Sequence, residues 1–199
     1  MKMKKLILLL SLFTLTASGQ RADVETSYDL PTPAGWGVEK IPFPINFAPS
    51  IDYKGIEEIR FMPGWARKDS ADYWSYIFLW CIDDKNLSTD AATLGNQMKM
   101  YYEGLASATK SIPKDKLIPV TASISEIKAI KGDAKTFKGT ILMQDYMSQK
   151  PLTLYCKIHL SAMHCYDKTY IFFELSPQPF MHKIWTELDK LFSDFKYKK

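Results

Sequence analysis

From residue 152 to residue 162 the chain changes character at every step. Leu154, Cys156, Ile158 and Leu160 are apolar, and Tyr155, Lys157, His159 and Ser161 between them carry polar groups. Side chains of a strand point alternately to the two faces of a sheet. The pattern therefore predicts an antiparallel strand with one face on a core and the other toward water. Residues 170–175 return after a polar turn as a second strand. Residues 120–130 (Val120, Ala122, Ile124), 137–146 (Phe137, Ile141, Met143) and 56–62 (Ile59, Phe61) repeat the two-residue period. Residues 73–82 form an apolar and aromatic run interrupted only by Ser75, which suits a central strand buried on both faces.

Two stretches switch to the helical period. Ile184, Leu188, Leu191, Phe192 and Phe195 make one stripe over residues 181–195, and Ala91, Leu94, Met98, Tyr101, Tyr102 and Leu105 make another. Ser88 or Thr89 can cap the earlier helix, and Asp90 suits the positive end of its dipole. Gly95 and Gly104 each weaken that helix by about 1 kcal/mol, so it depends on docking its apolar face. The expected order is ββαββββα: an α+β domain with a mostly antiparallel six-stranded sheet and two covering helices. In layout this order is similar to the Mog1/PsbP-like fold. The likeness lies in the order of elements and in no residue motif, so it transfers no functional residue.

The other end of the chain divides differently. Lys2, Lys4 and Lys5 precede an apolar stretch from residue 6 to 15, and the small residues Thr16, Ala17, Ser18 and Gly19 follow. Positive charge, a short apolar core and small residues at the −3 and −1 positions read as a secretory signal over residues 1–19, cleaved before Gln20. The apolar run is well short of the roughly 20 residues that span a bilayer, and no cysteine follows it to take a lipid. Export to the periplasm or beyond the cell is expected, with no membrane span in the mature chain. Those three lysines supply most of the formal net charge of +4. The remainder is nearly neutral and lacks the concentrated positive field that nucleic acid requires. Residues 20–54 hold five prolines between positions 31 and 49. Proline withholds a backbone donor, so this part is expected as an extended irregular arm. It carries Trp36, Ile41, Phe43, Ile45 and Phe47, and should lie against the globular domain of residues 55–199.

Chemical motifs are few. Asp84, Asn86, Ser88 and Asp90 space like the start of a calcium loop, but Thr89 stands where that loop needs glycine and Gly95 where it needs glutamate. A turn and a helix cap account for them. Asn86-Leu87-Ser88 matches a glycosylation sequon, which matters only in a host with that machinery. Cys156, His159, His164 and Cys165 resemble a metal cluster in print, yet a separation of three on a strand puts Cys156 and His159 on opposite faces, so no metal site is expected. Cys81 and Cys156 read as buried thiols or a core bridge. Glu57, Glu58 and Arg60 read as a polar strand face with its ion pairs. No nucleophile elbow, phosphate loop or dinucleotide fingerprint is present, and no cofactor is implied.

Two functions fit this pattern. One is a non-catalytic exported binding or structural module, taking a small ligand, a glycan or an envelope protein in a groove between the arm, the Trp65 loop and the sheet. Trp36, Trp65 and Arg60 are its expected contacts, with Trp65 exposed after Pro63-Gly64 and most of the other tryptophans in the core. The other is a small hydrolase built on His159, His164 or His182. A histidine within hydrogen-bond reach of a cysteine, serine or carboxylate inside a concave pocket would mark it.

Overall fold

A computed structural model describes residues 26–109, 112–130, 132–161 and 167–198. The expected signal segment, residues 20–25, His164 and Cys165 lie outside the described residues. The elements run β1 (Tyr28–Asp29), β2 (Gly37–Pro42), β3 (Gly55–Phe61), β4 (Tyr76–Ile82), α1 (Ala91–Ala108), β5 (Thr121–Ile127), β6 (Asp133–Asp145), β7 (Lys150–Ser161), β8 (Thr169–Ser176), α2 (Ile184–Asp194) and β9 (Lys196–Tyr197). The chain is α+β. Strands β2 to β8 form one antiparallel sheet in the order β2-β3-β4-β8-β7-β6-β5, and β1 pairs with β9 in a separate two-stranded ribbon.

The sheet has seven strands where the sequence predicts six. The extra strand, β2, comes from the proline-rich arm. Residues 37–41 contain no proline and keep every backbone donor, so this piece can pair with β3 from Gly37↔Phe61 to Pro42↔Ile56. It occupies a sheet edge, where the terminal Pro42 costs no ladder bond on its open side.

β4 and β8 sit mid-sheet and are buried along their whole length. Alternation along β4 divides two cores. Tyr76, Phe78, Trp80 and Ile82 face α1 and join Phe137, Ile141, Cys156, Ile158 and Phe173. Ile77, Leu79 and Cys81 face α2 and join Tyr170, Phe172, Ile184, Trp185 and Leu188. The result is a three-layer sandwich. The arm closes the α1 side by burying Ile45, Ala48 and Ile51, and the β1–β9 ribbon extends the α2 side. Cys81 and Cys156 are free thiols on opposite faces of the sheet, so they form no core bridge with each other.

Two local expectations are corrected. The cap of α1 is Asp90, whose carboxylate accepts from the Thr93 N–H at 2.7 Å, rather than Ser88 or Thr89. The polar face of β7 does not meet water: α2 lies near it, and Lys157, His159 and Ser161 are all buried. Among the described residues no helix is long and apolar enough to cross a membrane.

Candidate functional site

The α1 side of the sheet carries a groove of about 570 Å³ between β2–β3, the loop after β3 and the C-terminal half of α1. Its walls follow from the chain's local geometry. Pro63-Gly64 ends β3, and the loop folds back so that the Trp74 N–H donates to the Trp65 carbonyl at 2.9 Å. Trp74 takes a left-handed backbone at φ 52°, which turns its ring inward before β4 begins. Trp65 stacks on Phe61 at 4.3 Å between centroids and meets Trp74 edge-on at 6.4 Å, and Trp74 meets Tyr146 at 5.2 Å. On the far wall Phe47 of the arm packs edge-on to Tyr101 of α1 at 5.0 Å. Phe47, Phe61, Trp65 and Tyr146 remain half-buried, so part of each ring is open to an occupant.

Two carboxyl groups belong to this face. Glu39 of β2 lines the groove, and Glu57 lies one strand deeper, fully buried. Glu57 accepts from Trp80 Nε1 at 2.6 Å and from the Tyr101 hydroxyl at 2.9 Å. Burial pushes its carboxyl up to about 7 despite those two hydrogen bonds, and the nearby charge of Glu39 adds to the rise. Among the described residues neither Glu39 nor Glu57 forms an ion pair.

A larger cleft of about 730 Å³ lies on the opposite side, between α2 and the β6–β7 part of the sheet. Here His159 Nδ1 is 2.8 Å from Asp133, and its Nε2 is 3.6 Å from Glu174. Lys157 sits 3.5 Å from Glu174 and pairs with Asp189 of α2. Phe192 stacks over the imidazole at 3.8 Å. Burial alone would lower the His159 pKa, but the Asp133 hydrogen bond and Glu174 outweigh it and hold the ring above its ordinary value. A general base needs a free nitrogen lone pair. With carboxylates at both nitrogens and protonation favoured, His159 is placed to neutralise buried charge. Its second nitrogen faces Glu174, not a serine or cysteine. Its charged groups lie within ion-pair distance of one another, yet His159 Nε2 and both Glu174 oxygens are buried with no hydrogen-bond partner among the described residues.

No family model, curated protein or solved structure was found to match this chain.

Of the three residues predicted to meet a ligand, the structure brings Trp65 alone to the aromatic groove, half-buried rather than exposed. Trp36 packs on the α2 side, beside Pro33, Glu187 and Lys190 in a hollow of about 150 Å³. Arg60 is buried on that same side. It donates to the carbonyls of Leu30 at 2.8 Å, Pro31 at 3.1 Å and Ile59 at 3.1 Å, and to Glu58 at 2.6 Å, and so ties residues 30–31 to β3. His182 accepts from the Ile184 N–H at 3.2 Å, at the start of α2. Burial raises the Cys81 and Cys156 thiols to about 11 and about 12, away from thiolate chemistry. Asp84 accepts from the Asn86 N–H at 2.8 Å, so the calcium-like spacing resolves into a turn followed by the Asp90 cap. Glu39 and Tyr146 line the groove without having been expected there, and Phe47 and Tyr101 were expected only as packing residues of the arm and of α1. One signal was available: parity with Ile59 and Phe61 places Glu57 on the core face of β3.

Proposed function

We propose that this chain is an exported, non-catalytic binding module of the cell envelope, and that its ligand site is the aromatic groove around Trp65. One observation carries the reading: half-buried aromatic rings from the arm, the post-β3 loop and the β6–β7 turn converge on a concave site of about 570 Å³. That volume falls in the range of small-molecule pockets, and such pockets are mostly apolar with a few placed polar groups. Residues 1–5, 6–15 and 16–19 support export by their signal-like order of charge, apolar core and small side chains. The Mog1/PsbP-like layout is part of the same proposal, rests on element order, and assigns no residue. A hydrolase reading has its His–carboxylate pair in His159 and Asp133, but the second nitrogen of that imidazole faces Glu174 at 3.6 Å rather than a serine or cysteine, and the two carboxyls favour its protonated form.

The test uses N-phenyl-1-naphthylamine, a neutral ring-bearing probe whose emission rises on entering an apolar site. The full chain is expected to bind it in saturable fashion. Trp65→Ala should weaken binding about tenfold, in line with losing one aromatic wall. Ala108→Trp, at an exposed position on the rim, should block it without disturbing the core. Unchanged titrations in both variants would remove the groove from the proposal.

A further inference from the structure

The walls and the charges of the groove together select its occupant. We propose that it receives an alkylated ammonium group, with the aromatic rings contacting the cation's methyl groups and Glu39 supplying the counter-charge. This inference rests on the binding reading above.

The faces of aromatic rings carry negative electrostatic potential, and a cage of them attracts cations. Phe47, Phe61, Trp65 and Tyr146 supply such rings from three separate segments of chain. Glu39 lines the same space and has no ionic partner among the described residues. Lys40 also lines this space, but its ammonium is directed to Glu58 at 3.3 Å, which bonds to Arg60 and Tyr28 on the other face of the sheet. Glu57 is a second carboxyl behind the wall, joined to the groove through the Tyr101 hydroxyl and likewise without a cation. The site thus sets aromatic rings beside one open carboxylate, Glu39, which forms no ion pair among the described residues.

The chemistry narrows the class further. A metal ion needs several oxygen, nitrogen or sulfur ligands on one point, and no group of three such side chains converges among the described residues. A primary ammonium is a compact, strongly hydrated charge, so stripping its water against aromatic walls is costly. An alkylated ammonium spreads its charge over methyl groups that pack on those walls as hydrocarbon would. An anionic ligand would face Glu39 directly.

Choline and 3,3-dimethyl-1-butanol have nearly the same shape and differ in the charge of one atom, so the pair isolates the proposal. Calorimetric titration of the full chain is expected to show choline binding roughly tenfold tighter than the neutral alcohol. Glu39→Gln should weaken choline at least threefold and leave the alcohol unchanged, because Glu39 sits at an exposed strand edge and contributes little to folding. Trp65→Leu should weaken choline more than it weakens the alcohol. Equal affinities for the two probes, an absence of choline binding, or indifference of choline to Glu39→Gln would each overturn the cation assignment. If N-phenyl-1-naphthylamine still binds in a Trp65-dependent way in any of these cases, the groove stands and only its proposed occupant falls.

Discussion

Glu57 shows how one side chain can set the behaviour of its surroundings. It is fully buried, its carboxyl titrates near 7, and its partners are Trp80 and Tyr101. An unfolded glutamate loses its proton near 4.3. Between that value and 7 the folded chain keeps a proton that the unfolded chain has released. Stability from this group is therefore present in full at acid pH, declines as pH rises through the window, and is flat above it. Glu57→Gln removes the titration and keeps the shape, with the Tyr101 hydroxyl free to turn and accept from the new amide. Urea unfolding should show the variant gaining on the parent by about 2 kcal/mol between pH 5 and pH 8; parallel pH curves would refute the assignment. Glu57 was expected on a polar strand face with Glu58 and Arg60; its parity with Ile59 and Phe61 instead places it on the core face, buried and without an ion pair among the described residues. The burial of His159 was not legible. Alternation separates two faces of a strand but does not say whether the polar face meets water or charges delivered from elsewhere, and Glu174 and Asp189 arrive from β8 and α2.

At the scale of elements, the two glycines of α1 look equivalent in sequence and are not. A Cβ on Gly95 would meet nothing nearer than the Ala122 carbonyl oxygen at 3.8 Å, an ordinary contact. A Cβ on Gly104 would lie 1.9 Å from the Phe47 carbonyl oxygen, where the arm's backbone crosses the helix. Gly95→Ala should stabilise the protein by about 0.5–1 kcal/mol through helix propensity. Gly104→Ala should destabilise it by about 1–3 kcal/mol, and it should also weaken probe binding, since Phe47 and Tyr101 frame one wall of the groove. Thermal unfolding of both variants checks the contrast, and a stabilised Gly104→Ala would refute the crossing. Both helices and strands β3 to β8 were readable from their apolar patterns, whereas the two-residue β9 carries no pattern of its own. β2 was missed because five prolines coloured the whole stretch, while the pairing piece between them is proline-free. The reason for Gly104 was beyond local reading, since it depends on a segment more than fifty residues away.

Across the whole molecule, the predicted division into helix-covered sheet faces agrees with the three layers, but each face has its own chemistry. The α1 side gathers rings around carboxyls without cations, and the α2 side pairs Asp133, His159, Glu174, Lys157 and Asp189 among themselves. The groove combines residues from the arm, β2, the post-β3 loop, α1 and the β6–β7 turn. A sequence shows each contributor without showing that they meet: Trp65 lines this groove, while Trp36 packs on the α2 side. The proposed export also concerns the whole chain. Mass spectrometry of the native protein from its own envelope fraction should find an N-terminus at Gln20; a retained Met1 or a cytosolic product would refute it.

The β1–β9 ribbon joins Tyr28 to Tyr197, near the two extremes of the described chain. A polypeptide that leaves a ribosome or threads a translocation pore leading end first cannot zip this seam until its trailing residues have followed. Tyr28 and Arg60-bound Leu30 thus gain the Lys196–Tyr197 strand only after α2, which precedes it in the chain, has emerged.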